Sequence, residues 1–348
     1  MNGSIKVLHV LKSSTYSGAE NVVITIIKNL PGNYESAYAA SDGEIRFVLE
    51  KEKIKHYLFD KFTLSNLIKV VKDFDPDIIH AHDFSATVAC ANLRGRFRII
   101  SHLHYDPPWV KTWNLRTMVY VLSTSKISKV LSVSAKSFEN MVFSKLIKKK
   151  YENVRNPIDI KRVLALGNLD EQVGIYDLLF VGRFVEQKNP QRFINIVNLL
   201  AQKGQYLKCA MLGVGDLTEE CEQLIAHYGL QKQIELLGFK KNPYIYMKSA
   251  KLLCVTSKWE GYGLVVVEAN ILGTPVLSSY TSGVVEVLGE NAIELCGSDQ
   301  EFIDKIQLLL NNYSEYEEWK NMTLKRVKQL TKLDEYIRKI DQVYRNIL

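Results

Sequence analysis

The sequence predicts an α/β protein made of two parallel-sheet domains in tandem. Three observations lead there. Short apolar runs alternate with amphipathic stretches along the whole chain, the pattern of βα units in a doubly wound sheet. The chain has 348 residues, 47% of them hydrophobic, which suits two separate cores. The alternation pauses at Asn156-Pro157-Ile158-Asp159, continues as a polar stretch to Gly174, and then restarts.

In order, Ile5–Leu11 reads as a strand, Ala19–Leu30 as a helix, Ser36–Ser41 as a strand and Leu64–Asp73 as a helix. Ile78–His82, Arg98–His102 and Val130–Val133 are short apolar runs, each followed by a helical segment. The second half restarts with strand Asp177–Val181 and helix Pro190–Gln202, then strand Leu207–Leu212, helix Thr218–Tyr228 and strand Gln233–Leu237. Strand Leu252–Thr256 leads through a glycine-rich loop into helix Leu264–Leu272. Gly273-Thr274-Pro275 stops that helix, strand Val276–Ser279 follows, and helices fill residues 299 to 347. The expected domains are 1–172 and 173–333, with 334–348 as a final helix. Two such Rossmann-like domains are expected to face each other across a cleft at the carboxyl ends of their strands, where ligands bind.

Composition narrows the function. No apolar run approaches the roughly 18 residues that span a bilayer. Met1–Leu8 reads as the lead into a strand, not as a signal peptide. Five cysteines, odd in number and never spaced C-x-x-C, suggest reduced thiols in a cytoplasm and no structural zinc. The net charge of +7 is concentrated: residues 111–162 hold twelve Lys and Arg against three Asp and Glu, or +9. Met141, Val142, Phe143, Leu146 and Ile147 lie among these lysines. Such a surface suits the anionic inner face of a membrane, with a merely solvated helix face as the plain alternative. Nucleic acid fits less well, because aromatics are not interleaved with the cations as stacking platforms.

The chemistry concentrates in Glu260-Gly-Tyr-Gly-Leu-Val-Val-Val-Glu268. Gly261 and Gly263 let the backbone approach a ligand closely, and the helix start behind them offers free N–H groups to an anion. Glu260 and Glu268 bracket that anion site as acceptors for hydroxyls, which suits a nucleotide sugar. Arg183 and Lys188 fall on the loop after the first strand of the second half, where two cations can neutralise a diphosphate. Lys12 to Glu20 is too poor in glycine for a phosphate cradle, and Gly213-Val-Gly215 alone is a weak signal best read as a turn. His80/His82 and His102/His104 each place two imidazoles on one strand face. A four-histidine metal site is the minor reading. One cleft-facing histidine that bonds a sugar, with the others satisfied inside the domain, is the major one.

With these residues in place the chain resembles the family 4 glycosyltransferases, retaining enzymes of GT-B fold, of the bacterial capsule and exopolysaccharide type. The most specific element is Glu260-x7-Glu268 with its inner Gly-Tyr-Gly-Leu. Supporting ones are Ser17-Gly18-Ala19-Glu20, His80-Ala-His82-Asp83, Phe180-Val-Gly-Arg183 with Lys188, Leu212-Gly-Val-Gly215-Asp216, Leu237-Gly238-Phe239 and Gly283-Val-Val-Glu286. The resemblance implies that Glu268 accepts from the ribose hydroxyls and Glu260 from the donor sugar. It puts the Gly263 and Leu264 N–H groups, beside Gly261 and Tyr262, on the diphosphate that Arg183 and Lys188 grip. It sets Gly238 and Phe239 at the nucleobase, Gly18 along the cleft, and His104, with His102 as the other choice, near the donor sugar. The final helix would cross back to the first domain.

The resemblance further implies transfer of a hexose or N-acetylhexosamine from a UDP-sugar to a lipid-linked or oligosaccharide acceptor. No metal or other cofactor is implied, and the protein would sit in the cytoplasm at the inner membrane face. Ser17-Gly18 stands where the family has Gly-Gly, and Tyr262 where many members have Phe. Two alternatives stay open: a UDP-sugar epimerase on the same fold, and a non-catalytic partner subunit of a transferase pair.

Overall fold

A computed structural model describes residues 4–16, 18–327, 330 and 332–348. The chain divides into two compact units, Met1–Pro157 with Thr331–Leu348, and Ile158–Leu330.

The first unit runs β1 (Ile5–Val10), α1 (Gly18–Asn29), β2 (Tyr34–Ser41), α2 (Ile45–Lys51), β3 (His56–Phe59), α3 (Leu64–Phe74), β4 (Ile78–Ala81), α4 (Phe84–Ala91), β5 (Arg98–Leu103), α5 (Leu115–Ser123), β6 (Lys129–Ser132), α6 (Ala135–Glu139), α7 (Ser144–Ile147) and β7 (Tyr151–Asn153). Its seven strands pair in parallel in the order β3-β2-β1-β4-β5-β6-β7. The second unit runs α8 (Ile160–Gly167), β8 (Tyr176–Val181), α9 (Pro190–Gln202), β9 (Cys209–Leu212), α10 (Thr218–His227), β10 (Ile234–Gly238), α11 (Tyr244–Ser249), β11 (Ala250–Val255), α12 (Leu264–Leu272), β12 (Val276–Ser279), α13 (Ser282–Leu288), β13 (Leu295–Cys296), α14 (Asp299–Asn311) and α15 (Tyr313–Val327). Its six strands also pair in parallel, in the order β10-β9-β8-β11-β12-β13. Helix α16 (Leu333–Ile347) belongs to the first unit.

Both sheets therefore reverse their strand order next to their first strand, at β1/β4 and at β8/β11. Such a reversal opens a crevice at the carboxyl ends, because the flanking connections leave in opposite directions. The strands at each reversal are largely buried on both faces, so β4 reads Ile-Ile-His-Ala and β11, after exposed Lys251, reads Leu-Leu-Cys-Val without polar alternation.

The division between the units falls at Pro157, earlier than the residue 172 expected from composition. The reason lies in α8. Its Val163 and Gly167 are buried, and Gly167 abuts Leu272 of α12. The Leu166 carbonyl accepts from Asn242 Nδ2 at 3.0 Å, which ties the helix to the second unit. Helix α16 is held to the first unit by Tyr34 Oη donating to Asp341 Oδ1 at 2.6 Å and by Tyr344 Oη lying 2.7 Å from His80 Nδ1.

The apolar residues at 141–147 of the basic stretch do not form the surface face that the sequence suggests. Met141, Phe143 and Ile147 are core residues and Val142 packs against the same core, so only Leu146 of the five is exposed. The five cysteines are buried and unpaired. No helix among the described residues is long and apolar enough to cross a membrane.

Candidate functional site

The second unit gathers several of its candidate residues at the β8/β11 reversal. The loop after β8 supplies Lys188 and the loop after β11 supplies Glu260, and the two meet: Lys188 Nζ lies 2.6 Å from Glu260 Oε1. Ser257 Oγ donates to the same oxygen at 2.6 Å. The loops are laced together by their backbones. Lys258 N donates to Gln187 O at 2.8 Å, and Thr256 Oγ1 to Asn189 O at 2.9 Å. The pair is sheltered but reachable, with side-chain exposures of 22% for Lys188 and 6% for Glu260. A lysine ammonium has three protons, so Lys188 can hold Glu260 and still offer donors to an anion.

Gly261, Tyr262 and Gly263 are buried and carry the chain into α12. Gly263 caps that helix at φ 72° and ψ 48°, a left-handed conformation that a Cβ would strain. Leu264 opens the helix, whose first N–H groups have no partner within it and point a positive dipole end outward. The loop is clamped from behind by α13. Gly283 N donates to Glu260 O at 3.1 Å, and a Cβ on Gly283 would fall 2.5 Å from Glu260 O, Gly261 C and Tyr262 N.

Glu268 lies one turn further along α12 and keeps partial access to solvent. Tyr244 Oη donates to its Oε1 at 3.0 Å. Burial pushes the carboxyl up to about 7, against the Tyr244 hydrogen bond and the charges of Arg162 and Lys188, which pull it down. The group therefore balances between acid and carboxylate near neutral pH and can accept hydroxyl donors.

The neighbouring carboxyl edge adds a second set. Arg183 is exposed, and its side chain has no hydrogen bond or ion pair among the described residues, so it is free to meet an anion. Gly238 ends β10 after a register shift, its carbonyl accepts from Gly213 N at 3.0 Å, and Phe239 beside it is 69% exposed. A flat apolar ring left in solvent is a ready stacking surface.

His104 and Gly18 belong to the first unit. Gly18 is exposed at the first turn of α1, and Ser17 before it lies outside the described residues. His104 is one of five buried imidazoles around the β1/β4 reversal. His9 Nδ1 lies 3.0 Å from His82 Nε2, and His82 Nδ1 lies 3.1 Å from His104 Nε2. A second chain runs from Tyr344 through His80 Nε2 to His102 Nδ1 at 3.2 Å. Burial pushes His9 and His104 down to about 3 and, with help from their neighbours, holds His80, His82 and His102 well below the usual imidazole range, so all five are neutral at pH 7. A neutral imidazole has one donor and one acceptor, which makes His82 pass its orientation on to His104. His104 Nδ1 has no partner among the described residues. His9/His80/His82 and His82/His102/His104 are the groups that could hold a metal ion among the described residues, though their close nitrogens already satisfy one another.

Sequence reasoning missed Ser257, Tyr244 and His9. Ser257 stands three residues before Glu260, where a turn returns its hydroxyl to the carboxylate. His9 pairs with His80 across β1/β4, a register that no sequence pattern announces. Asp83 is structural: its carboxylate caps α4 by accepting from Ala86 N at 2.6 Å and also accepts from Lys12 N at 3.0 Å. Two cavities of about 340 and 220 Å³ in the first unit are lined by residues of β6, β7, the segments next to those strands and α16, and hold none of the named site residues.

Residues 16–162 match "Glycosyltransferase Family 4" and residues 168–326 match "Glycosyl transferases group 1". The chain is a family 4 glycosyltransferase. Among its relatives, the Staphylococcus aureus capsular polysaccharide biosynthesis glycosyltransferase CapH is 26% identical over 79% of this chain and 81% of its own. An alpha-1,4-N-acetyl-D-galactosaminyltransferase of Campylobacter jejuni, whose name carries a PP-undecaprenol-linked GalNAc, is 24% identical over 93% of this chain and 94% of its own. The crystal structure of Anabaena HepE in complex with UDP and glucose superposes with a TM-score of 0.85 at 19% identity, covering 98% of this chain and 99% of that one. That likeness shows the GT-B fold.

Proposed function

We propose that this glycosyltransferase moves a hexose or N-acetylhexosamine from a UDP-sugar to a lipid-linked glycan in bacterial surface polysaccharide synthesis, with retention at the anomeric carbon. The observation behind it is the Lys188–Glu260–Ser257 group beside the start of α12, with Glu268 one turn beyond. A diphosphate meets the Gly263 and Leu264 N–H groups, Lys188 and Arg183. The ribose hydroxyls donate to Glu268, and the base stacks at Gly238 and Phe239. Glu260 accepts from the hydroxyls of the donor sugar. Gly18 and His104 act from the first unit, His104 on the sugar. The UDP complex of HepE and the undecaprenol-linked acceptor in the Campylobacter jejuni name support this choice of donor and acceptor.

In the reaction the acceptor oxygen bonds to the anomeric carbon as the bond from that carbon to the diphosphate breaks. The acceptor's proton passes to the departing phosphate oxygen on the same face, and no side chain serves as nucleophile. The leaving diphosphate gains charge as the bond breaks, so Arg183 and Lys188 stabilise the transition state more than the ground state. No divalent ion is needed, because lysine, arginine and a helix end meet that charge.

A nucleotide-release screen over UDP-sugars, with and without lipid-diphosphate sugar acceptors, tests the reading. Acceptor-dependent UDP release is expected. Conversion of a UDP-sugar to its epimer by the protein alone, or no release with any pair, contradicts it.

A further inference from the structure

We propose that α5, with Trp113 before it, is the surface by which the protein docks on an anionic lipid bilayer. Leu115, Met118, Val119 and Leu122 recur at helical spacing and form one stripe. That stripe faces solvent: Leu115 is 77% exposed, Leu122 73% and Met118 53%, with Trp113 at 54%. A stable helix normally turns such a stripe inward. Here the core contact is made by the opposite face, where Tyr120 meets Phe84 edge-on and Phe143 at a tilt and bonds Ser101. A capping box between Asn114 and Thr117 fixes the helix start. The helix is thus held rigidly with its apolar side out, and sequence periodicity alone would have placed that side in the core.

Charge selects the occupant. Residues 107–138 contain Lys111, Arg116, Lys126, Lys129 and Lys136 and no aspartate or glutamate. Lys111 and Arg116 are exposed beside the stripe and Lys126 just past its end. Lys150, which donates to the Thr124 and Ile127 carbonyls, brings exposed Lys148 and Lys149 to the same end. A second copy of the chain would meet this patch with like charge across a two-fold axis, whereas an anionic headgroup layer meets it with opposite charge. Trp113 and Leu115 also stand on the connection that follows β5 and His104, at the carboxyl edge of the first sheet. Docking there would bring a membrane-anchored acceptor to that edge, a purpose that rests on the lipid-linked reading, although the docking itself does not.

The test is flotation of the full chain with phosphatidylcholine vesicles containing about 30% phosphatidylglycerol. Binding is expected, with a blue shift of tryptophan emission that Trp113→Phe removes. Leu115→Ala with Leu122→Ala should weaken binding roughly a hundredfold or more, since each buried leucine contributes at least about a decade. Both side chains are exposed, so an unchanged melting temperature shows that the variant is folded. No binding of the unaltered protein, binding unaffected by the double variant, or a self-association that the double variant abolishes would each overturn the proposal. UDP titration of the same samples reports on the donor site separately, so failure of the transferase reading leaves a different trace.

Discussion

Lys188 and Glu260 hold one another at 2.6 Å, and their division of labour can be separated by mutation. If Lys188 grips the diphosphate while Glu260 reads the donor sugar, Lys188→Ala removes a charge-assisted hydrogen bond to the nucleotide. Such a bond is worth about 1.5–3 kcal/mol, so UDP affinity should fall roughly 10- to 150-fold. Glu260→Gln keeps an acceptor for Ser257 but releases the ammonium from its counter-charge, so UDP affinity should stay level or tighten. UDP-sugar turnover should nonetheless drop in that variant by a factor of the same order. The fold should tolerate the change. Lys188 has a route to solvent, so the loss should be well below the roughly 3–5 kcal/mol of a fully buried broken pair. Calorimetric titration with UDP and steady-state transfer rates for both variants decide the matter. Equal weakening of UDP binding by both would refute the division, because Glu260 would then act only by holding Lys188 in place.

Further outcomes follow from neighbouring contacts. Gly283→Ala drives a Cβ to 2.5 Å from the backbone of the Glu260 loop, so it should cost about 1–3 kcal/mol in urea melts and weaken UDP binding. Glu268 titrates about 7 in the free protein, and ribose hydroxyls favour its ionised form. UDP affinity should therefore rise as pH increases through 7, and Glu268→Gln should flatten that dependence when titrated in parallel. Tyr244→Phe removes a hydrogen bond that lowers this pKa, so the rise should move to higher pH. Exhaustive chelation should leave the transfer rate unchanged, and recovery only with an added divalent ion would contradict a metal-free reaction.

Much of the fold was legible because buried parallel strands leave continuous apolar runs, as in Ile78–Ala81 and Leu252–Val255. The strands that escaped are short and peripheral. β3 is half-buried His-Tyr-Leu-Phe at the sheet edge, β7 is three residues beside a lysine run, and β13 is two residues long. The candidate residues of the second unit were legible because Glu260-x7-Glu268 is local in sequence. Ser257 and Tyr244 were not, since their roles depend on how a turn folds back and how α11 packs on α12. The outward stripe of α5 is not legible for another reason: periodicity gives a stripe but not its side, and Tyr120 decides the side.

The most direct test is a crystal structure of the protein soaked with a UDP-sugar. The diphosphate should lie on the Gly263 and Leu264 N–H groups with Lys188 and Arg183 against it, and the ribose on Glu268. Nucleotide density anywhere else, or a ribose turned away from Glu268, would contradict it.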